Sequence, residues 1–282
     1  MLNLAVGTLQ LQIEVANICN AACVFCPYPI MKRRKGAMSM DLFKKIIDET
    51  ATLPLIDHIT LTGLGETLLD KHLIERLQYV RSVMPFVHLD MYSNGTFLTR
   101  PLIDSLIDAR LTVLYVSLNA VNADKRQQIM FPDKPEFRDF DHVCEMLDYA
   151  ISRENDGTSG MKVVVKTIAS KDLMEGGDSK IFFDRWGGPT ETGGNAFMHM
   201  EGNWAGAMWP MRVKPVTACT RALQQIMVLQ DGRVSLCCFD GEGDEILGDL
   251  NSHSIKDVFN GAKATSVREA HWDGRRSESP MC

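Results

Sequence analysis

The sequence lacks the features that mark several classes of protein. Its 282 residues contain no run of about 18 apolar residues, so no segment is predicted to cross a membrane. The first residues have neither the basic start nor the long apolar core of a signal peptide. The net charge of −6 offers no general electrostatic attraction to nucleic acid. We therefore expect a cytoplasmic protein, whose eight cysteines are ligands or free thiols in a reducing compartment rather than disulfides.

What the sequence does contain is a cluster of three thiols near its start, Cys19, Cys23 and Cys26, spaced C-x3-C-x2-C. Three cysteines on one short loop are poorly placed for disulfides but well placed to hold a soft metal centre, including one face of an iron–sulfur cube. Such a cube needs four ligands, so one iron would stay open. The alternatives are a structural zinc site, which usually uses C-x2-C pairs, and three unrelated buried thiols.

This loop resembles the cluster motif of the radical S-adenosylmethionine (radical SAM) enzymes. The resemblance implies a [4Fe–4S] cluster whose open iron binds the amino and carboxylate groups of SAM. An electron from a flavodoxin- or ferredoxin-type donor then cleaves SAM to a 5′-deoxyadenosyl radical, which takes a hydrogen atom from the substrate. Phe25 matches the aromatic residue that family members place beside the adenine.

Strand-like and helix-like periodicities alternate through the first 170 residues, which indicates a parallel α/β sheet with helices outside. The cysteine loop follows the first strand directly. The resemblance implies an open (β/α)6 partial TIM-like barrel and, after it, a small α+β domain. We predict strands at 9–15, 58–63, 87–92, 112–118 and 161–168, with a weak sixth at 196–200, and helices at 39–47, 71–83, 98–109, 124–130 and 140–151.

The second half contains another set of cysteines. A stretch rich in glycine and tryptophan, 175–207, is predicted to be a long irregular connection. After it, Asp231-Gly232 predicts a hairpin that brings Cys219 towards Cys237. We predict a further turn at 246–251 and a short helix at 254–259. We divide the chain into a barrel core at 1–170, a connection completing the barrel at 171–215 and a C-terminal domain at 216–282.

This half resembles the SPASM or shortened "twitch" domains of radical SAM enzymes, which hold auxiliary [4Fe–4S] clusters. Gly232 to Cys237 fits their Gly-x4-Cys element, whereas their final C-x2-C is represented only by Cys282. The fourth ligand is therefore Cys238, a non-cysteine or open position, or a residue beyond the end of this sequence. The alternative is that these are buried free cysteines. Cys144, alone in a predicted helix, is interpreted as a core residue.

The resemblance also implies where SAM binds, because each predicted strand is followed by a motif of the family. Thr62-Gly-Leu-Gly-Glu66 resembles the Gly-Gly-Glu motif, with Gly65 allowing close approach to the methionyl amine and Glu66 accepting a hydrogen bond from it. Ser93-Asn94-Gly95 resembles the turn near the methionyl group. Ser117 and Asn119 stand where members hold the carboxylate or ribose, and Lys166 is a weaker candidate at the fifth strand.

The leading functional hypothesis is a radical SAM oxidoreductase that oxidises a small alcohol such as a polyol or aminocyclitol. A peptide or protein side-chain maturase is the alternative. Maturases often carry a leader-binding domain, and nothing here precedes the first strand. A metal-stabilised scaffold without catalysis is disfavoured by the series Glu66, Asn94 and Ser117. The basic run 32–35 is predicted to be a solvated loop, or else a rim that attracts an anionic substrate. The substrate and the catalytic residues acting on it are not predicted.

Overall fold

A computed structural model describes residues 8–169, 177–200, 204, 207–208, 218–279 and 281–282. Strands and helices alternate along the chain from the first strand, as the periodicity predicts. The strands β1 to β9 are Leu9–Ile13, Ile56–Leu61, His88–Ser93, Val113–Ser117, Lys162–Ala169, Ala196–Met200, Gln225–Val228, Arg233–Ser235 and Ile246–Asp249. The helices α1 to α9 are Met40–Ala51, Leu73–Val83, Arg100–Asp108, Ala123–Met130, Phe140–Asn155, Asp178–Arg185, Thr220–Gln224, Ile255–Asn260 and Ala262–Trp272.

The described strands form one sheet in the order β6-β5-β4-β3-β2-β1-β7-β8-β9. Strands β1 to β6 pair in parallel, β7 joins the other edge of β1 in parallel, and the hairpin β7–β8 and strand β9 continue the sheet in antiparallel fashion. The α/β class and the partial barrel are therefore confirmed. The C-terminal region extends the barrel sheet directly, because β1 lies between β2 and β7.

The two faces of the sheet differ in polarity. In β1, Leu9, Leu11 and Ile13 are buried in the main apolar core, and Gln10 and Gln12 alternate with them on the other face. Neighbouring strands repeat this alternation, since a strand turns successive side chains to opposite faces. The helices therefore cover an apolar face, and a polar face is left on the other side of the sheet.

Helix α1 shows how local sequence sets these elements. Ser39 caps the helix by accepting a hydrogen bond from the Leu42 amide at 3.2 Å, which satisfies one of the free donors at the helix start. Phe43, Ile46 and Ile47 follow at helical spacing and are buried in the core. The helix predicted at 39–47 is confirmed, and it continues to Ala51.

Two predictions for the second half were wrong. The segment Ile246–Asp249 is a strand rather than a turn, and it pairs with β8. Its Gly248 is required by packing: a Cβ there would lie 2.6 Å from the Val258 side chain. The stretch predicted to be irregular contains helix α6, Asp178–Arg185.

Other predictions for this half have mixed outcomes. The sixth strand, Ala196–Met200, and the short helix capped by Ser254 are confirmed. Helix α9 was not predicted. Of the connection predicted at 171–215, the structure describes residues 177–200, 204 and 207–208, and the rest lies outside the described residues.

Candidate active site

The three-cysteine loop begins where β1 ends and is held by polar contacts at several points. The Tyr28 hydroxyl accepts from the Cys19 amide at 2.9 Å and donates to the Cys19 carbonyl oxygen at 3.1 Å. The Cys26 amide donates to the Cys23 carbonyl oxygen at 3.0 Å, which closes a tight turn. The loop therefore has a defined shape that turns its cysteines together.

The chemistry of the three thiols fits a positively charged centre. Burial raises the pKa of Cys19 to about 11 and that of Cys26 to about 12. Burial also raises the pKa of Cys23 well above its ordinary value, and the other two thiols add to this shift. Neighbouring thiolates that repel each other in a buried loop become stable once a metal centre supplies positive charge.

Gly65 lies against the start of the cysteine loop. A Cβ at this position would stand 2.0 Å from the Ala16 carbonyl oxygen and 2.8 Å from the Asn17 Cα, so only glycine fits. The next amide, that of Glu66, donates to the Ile18 carbonyl oxygen at 2.8 Å. Gly65 thus brings the loop after β2 into direct contact with the cluster loop.

The Glu66 carboxylate is buried and organises the turn after β3. It accepts hydrogen bonds from the Leu68 amide at 2.9 Å, the Ser93 hydroxyl at 2.7 Å and the Asn94 amide at 2.6 Å. Burial raises the pKa of Glu66, and these hydrogen bonds oppose the shift. A carboxylate has about four acceptor sites, so one remains for a further donor.

Asn94 connects this turn to the cluster loop. Its side-chain amide donates to the Asn20 Oδ1 at 2.7 Å, and its own Oδ1 accepts from the Thr96 amide at 3.0 Å. Asn20 stands between Cys19 and Cys23. The predicted residues Gly65, Glu66, Ser93 and Asn94 are therefore brought together beside the cysteines.

Ser117, Asn119 and Lys166 form a neighbouring group at the ends of β4 and β5. Ser117 pairs in register with Lys166, and the Asn119 amide donates to the Lys166 carbonyl oxygen at 3.2 Å. Asn119 has a φ of 54°, a left-handed conformation that asparagine tolerates better than most residues. The backbone shape after β4 therefore accounts for an asparagine at this position.

Arg126, which sequence reasoning missed, joins the two groups. Its guanidinium donates to the Asn94 carbonyl oxygen at 2.8 Å and to the Leu118 carbonyl oxygen at 3.0 Å. It also forms a two-pronged ion pair with Asp139, at 2.7 and 2.8 Å, and is only 1% exposed. Its partners lie on three separate elements, and no motif in the local sequence marks them.

The Lys166 side chain lies among aromatic rings. Its ammonium nitrogen is 4.3 Å from the centre of the Tyr92 ring, and the Tyr115 and Phe197 rings are also within 6 Å. Burial lowers the pKa of Lys166 to about 8. The side chain can therefore exchange a proton close to neutral pH.

The basic run 32–35 is only partly the solvated loop that was predicted. Lys32, Arg34 and Lys35 are exposed, whereas Arg33 is buried and forms a two-pronged ion pair with Glu14 at 2.8 and 2.9 Å. Arg33 also donates to the Gln230 Oε1 and to the Gly241 carbonyl oxygen. The prediction was wrong for Arg33, because partners 197 and 208 residues away satisfy its charge.

The C-terminal cysteines gather around a buried histidine that the sequence did not indicate. The His271 Nδ1 accepts from the Cys219 amide at 3.3 Å, and its Nε2 lies 3.6 Å from the Cys282 sulfur. Burial raises the pKa of Cys237 to about 12, with smaller effects from the thiols of Cys238 and Cys282. The four cysteines are therefore neighbours, as the predicted hairpin requires.

Cys238 and Cys144 differ in their surroundings. Burial raises the pKa of Cys238, while Arg221 opposes the shift and Cys219 adds to it. Cys144 packs against the main apolar core from helix α5, in agreement with its interpretation as a core residue. All eight cysteines are free of disulfides.

A cavity of about 270 Å³ separates the two cysteine regions. Its walls come from the cluster loop at Pro27, from Leu64, and from the segment 239–244 of the C-terminal region. Trp204 closes one side and donates to the Phe25 carbonyl oxygen at 2.8 Å. Phe25 is thereby fixed at the edge of the cavity.

Among the described residues, no helix is long and apolar enough to cross a membrane.

Comparison with known families identifies the barrel. The family model of the Radical SAM superfamily matches residues 13–168, which include the cysteine loop and the turns after β2, β3 and β4. The chain belongs to the radical SAM superfamily. Residues 219–282 match the SPASM model, described as an iron–sulfur cluster-binding domain. Radical SAM membership implies an enzyme with a [4Fe–4S] cluster and SAM as cofactors, and the SPASM match implies a further iron–sulfur cluster.

Several known proteins match this chain over nearly its whole length. This chain is 22% identical to the SAM-dependent 2-deoxy-scyllo-inosamine dehydrogenase of Niallia circulans over 97% of this chain and 90% of that protein. Its fold is similar to that of BtrN, solved with AdoMet and 2-DOIA, with a TM-score of 0.67, 19% identity, and coverage of 98% and 91% of the two chains. Streptococcus suis SuiB bound to precursor peptide SuiA gives a TM-score of 0.68 at 9% identity, covering 93% of this chain and 67% of that chain.

Proposed function

We propose that this radical SAM enzyme oxidises a secondary alcohol of a small, hydroxyl-rich substrate of the aminocyclitol type to a ketone. The observation that carries the proposal is the similarity to a dehydrogenase of such a substrate along almost the full length of both chains. The polar face of the sheet agrees with it, because Gln10, Gln12 and Thr60 offer hydrogen-bonding groups rather than an apolar wall.

We assign the ligands as follows. Cys19, Cys23 and Cys26 hold the SAM-binding cluster, and Cys219, Cys237 and Cys282, with Cys238 as a candidate fourth ligand, hold the auxiliary cluster. When bound, the first cluster and SAM would supply the radical for removal of one hydrogen atom from the alcohol, and the auxiliary cluster would supply an acceptor for the remaining electron. Lys166 lies on the substrate side, and its lowered pKa suits it to accept the alcohol proton.

We assign SAM to the space bounded by the cluster loop and the strand ends. Phe25 lies by the adenine, while Gly65, Glu66, Ser93 and Asn94 face the methionyl group. Ser117 and Asn119 face the carboxylate or ribose. Arg126 positions the Asn94 and Leu118 backbone without being a contact itself, because its donors are taken by protein oxygens.

The remaining assignments rest on the sequence. We propose a barrel core at 1–170, a connection at 171–215 and an auxiliary-cluster domain at 216–282. We also propose a cytoplasmic location with a flavodoxin- or ferredoxin-type electron donor, because cysteines that serve as cluster ligands or free thiols rather than disulfides are typical of a reducing compartment.

The proposed reaction is tested by mass spectrometry. Protein with reconstituted clusters, a reductant and SAM is incubated with a panel of aminocyclitols and polyols, and we expect a product two hydrogens lighter together with one 5′-deoxyadenosine per product. Formation of 5′-deoxyadenosine with none of these substrates oxidised contradicts the substrate class. Peptide modification is the second candidate, favoured by the fold similarity to SuiB, and crosslinked or epimerised peptide products would support it.

Glu66→Gln is expected to weaken SAM binding by roughly ten- to a hundredfold while the visible spectrum of the clusters persists. The reason is that a hydrogen bond to a charged group contributes about 1.5–3 kcal/mol, and about 1.4 kcal/mol is a tenfold change in affinity. The side-chain NH2 group of the variant would also face the Ser93 hydroxyl or the Asn94 amide. Both of these groups donate hydrogen bonds to Glu66, so donor would meet donor. Calorimetric titration with SAM measures the change, and Glu75→Gln, on the exposed side of α2, is the matched control. An unchanged dissociation constant for Glu66→Gln would remove this residue from the site.

A further inference from the structure

The polar face of the sheet carries a group of side chains, on β2 and β3, of the types that bind metal ions. His58 of β2 and His88 of β3 are paired in register, and Thr60 is paired with Asp90. Residues two apart on a strand share a face, so His58, His88 and Asp90 point into one space. Ile59 and Leu89, between them in sequence, are buried in the apolar core on the other face.

The ligand atoms of this group lie close enough for one ion. The His58 Nε2 is 2.8 Å from the Asp90 Oδ2, and the His88 Nε2 is 3.7 Å from the same oxygen. The three ligand atoms lie within 4.8 Å of one another. Ligands about 2.0–2.1 Å from a tetrahedral zinc ion stand ~3.3 Å apart, and the two distances lie on either side of this value.

A separate observation indicates that the group is missing a partner. Asp90 is 2% exposed, and its second oxygen, Oδ1, has no hydrogen-bond partner among the described residues. A buried carboxylate oxygen without a partner is costly, and native structures almost always satisfy such atoms. A cation bound by both imidazoles and by both oxygens of the Asp90 carboxylate would give Oδ1 a partner.

We propose that His58, His88 and Asp90 form a binding site for a divalent transition-metal ion, such as Zn²⁺, separate from the iron–sulfur clusters. Two imidazoles and one carboxylate favour zinc, cobalt, nickel or ferrous iron over magnesium or calcium, which prefer oxygen ligands. The histidine side chains are 31% and 41% exposed, so water completes the coordination.

Further polar side chains lie next to this group. The Thr60 hydroxyl lies 3.3 Å from the His58 Nε2 and accepts from the Gln10 side chain at 2.7 Å. The Gln225 amide donates in turn to the Gln10 Oε1 at 2.7 Å. This chain of contacts crosses β2, β1 and β7, so an ion at the site would join the barrel strands to the C-terminal extension.

The site is distinct from the SAM-binding turn. Asp90 and Ser93 lie on the same strand, and three residues of strand span about 10 Å. His58 and His88 stand further towards the strand starts. Ions bound here would therefore contact neither SAM nor the cysteine loop.

Zinc binding to the protein with both clusters assembled tests the proposal. Anaerobic dialysis against micromolar ZnCl₂ followed by elemental analysis should find one zinc per chain with the iron content unchanged. His88→Gln, at a half-exposed position, should weaken zinc binding by at least about a hundredfold, since loss of an outer-shell partner alone costs roughly 10- to 100-fold. His72→Gln is the matched control, because the ring of this exposed histidine contacts Glu75 at the surface, and the variant should bind zinc as the unaltered protein does.

Asp90→Asn provides a second test, because it keeps the shape of the side chain and removes the charge. The affinity of Asp90→Asn for zinc should fall as far as that of His88→Gln. X-ray absorption at the zinc edge should show only nitrogen and oxygen neighbours at about 2.0–2.1 Å. Sulfur neighbours near 2.3 Å, or iron lost as zinc binds, would place the zinc at the cysteines and overturn the proposal. So would failure to bind zinc, or equal binding by both variants.

Discussion

Cys23→Ala is expected to abolish reductive cleavage of SAM. The variant leaves two of the three thiols on the loop, and a cube held by two protein ligands cannot keep one iron open for SAM while the other three are anchored. Anaerobic reconstitution should give about four irons fewer per chain than the unaltered protein. Reaction with dithionite and SAM should yield no 5′-deoxyadenosine by liquid chromatography.

Cys144→Ala is the matched control for this experiment. Cys144 is a partly buried thiol whose pKa burial raises to about 11, and it packs against the apolar core from helix α5. This variant should keep its iron and its SAM cleavage, at the cost of a small cavity. Undiminished 5′-deoxyadenosine production by Cys23→Ala would contradict the assignment of the loop.

The double variant Cys219→Ala/Cys237→Ala is expected to separate SAM cleavage from substrate oxidation. It should lose about four irons, the content of one cube, while 5′-deoxyadenosine continues to form at the barrel site. The oxidised product should fall to background, because the electron left after hydrogen abstraction has no acceptor. Iron content and product yield are measured on the same preparation.

Two results would count against this prediction. Unchanged iron in the double variant would make these thiols core residues, and normal product formation despite lost iron would make the auxiliary cluster structural. The single variant Cys238→Ala shows in addition whether Cys238 is the fourth ligand. If it is, the auxiliary cluster is destabilised; if it is not, iron and product are both retained.

The site residues differ in how far the sequence could predict them. The cysteine loop and the turns bearing Glu66, Asn94 and Ser117 were predicted from their resemblance to radical SAM motifs, and each follows a strand, so the carboxyl ends of the parallel strands bring them to one edge. The contacts that these residues make in the structure were not predicted. Glu66 was assigned to SAM, yet the structure shows that it also holds the turn after β3. Arg126 and His271 were missed, because their partners are distant in the chain.

The wrong predictions arose where one local pattern fits two structures. Glycine in Ile246-Leu-Gly-Asp-Leu-Asn suggests a turn, and only the contact of Gly248 with Val258 shows that it lies in a strand. Arg33 stands among three other basic residues, so its composition suggests solvent. Its burial depends on Glu14 and on Gln230, which the fold brings from opposite ends of the sequence.

The amino-acid sequence by itself determined the elements and the chemistry of this protein: which segments alternate as strand and helix, which loop carries three thiols, and which polar turns follow the strands. These are local properties, because periodicity and residue type act within a few positions. Only the tertiary structure decided which strands are neighbours and in what register. That register places Arg126 between two site loops, His271 between Cys219 and Cys282, and His58 beside His88 and Asp90. Such pairs depend on the packing of the whole sheet, which no short stretch of sequence specifies.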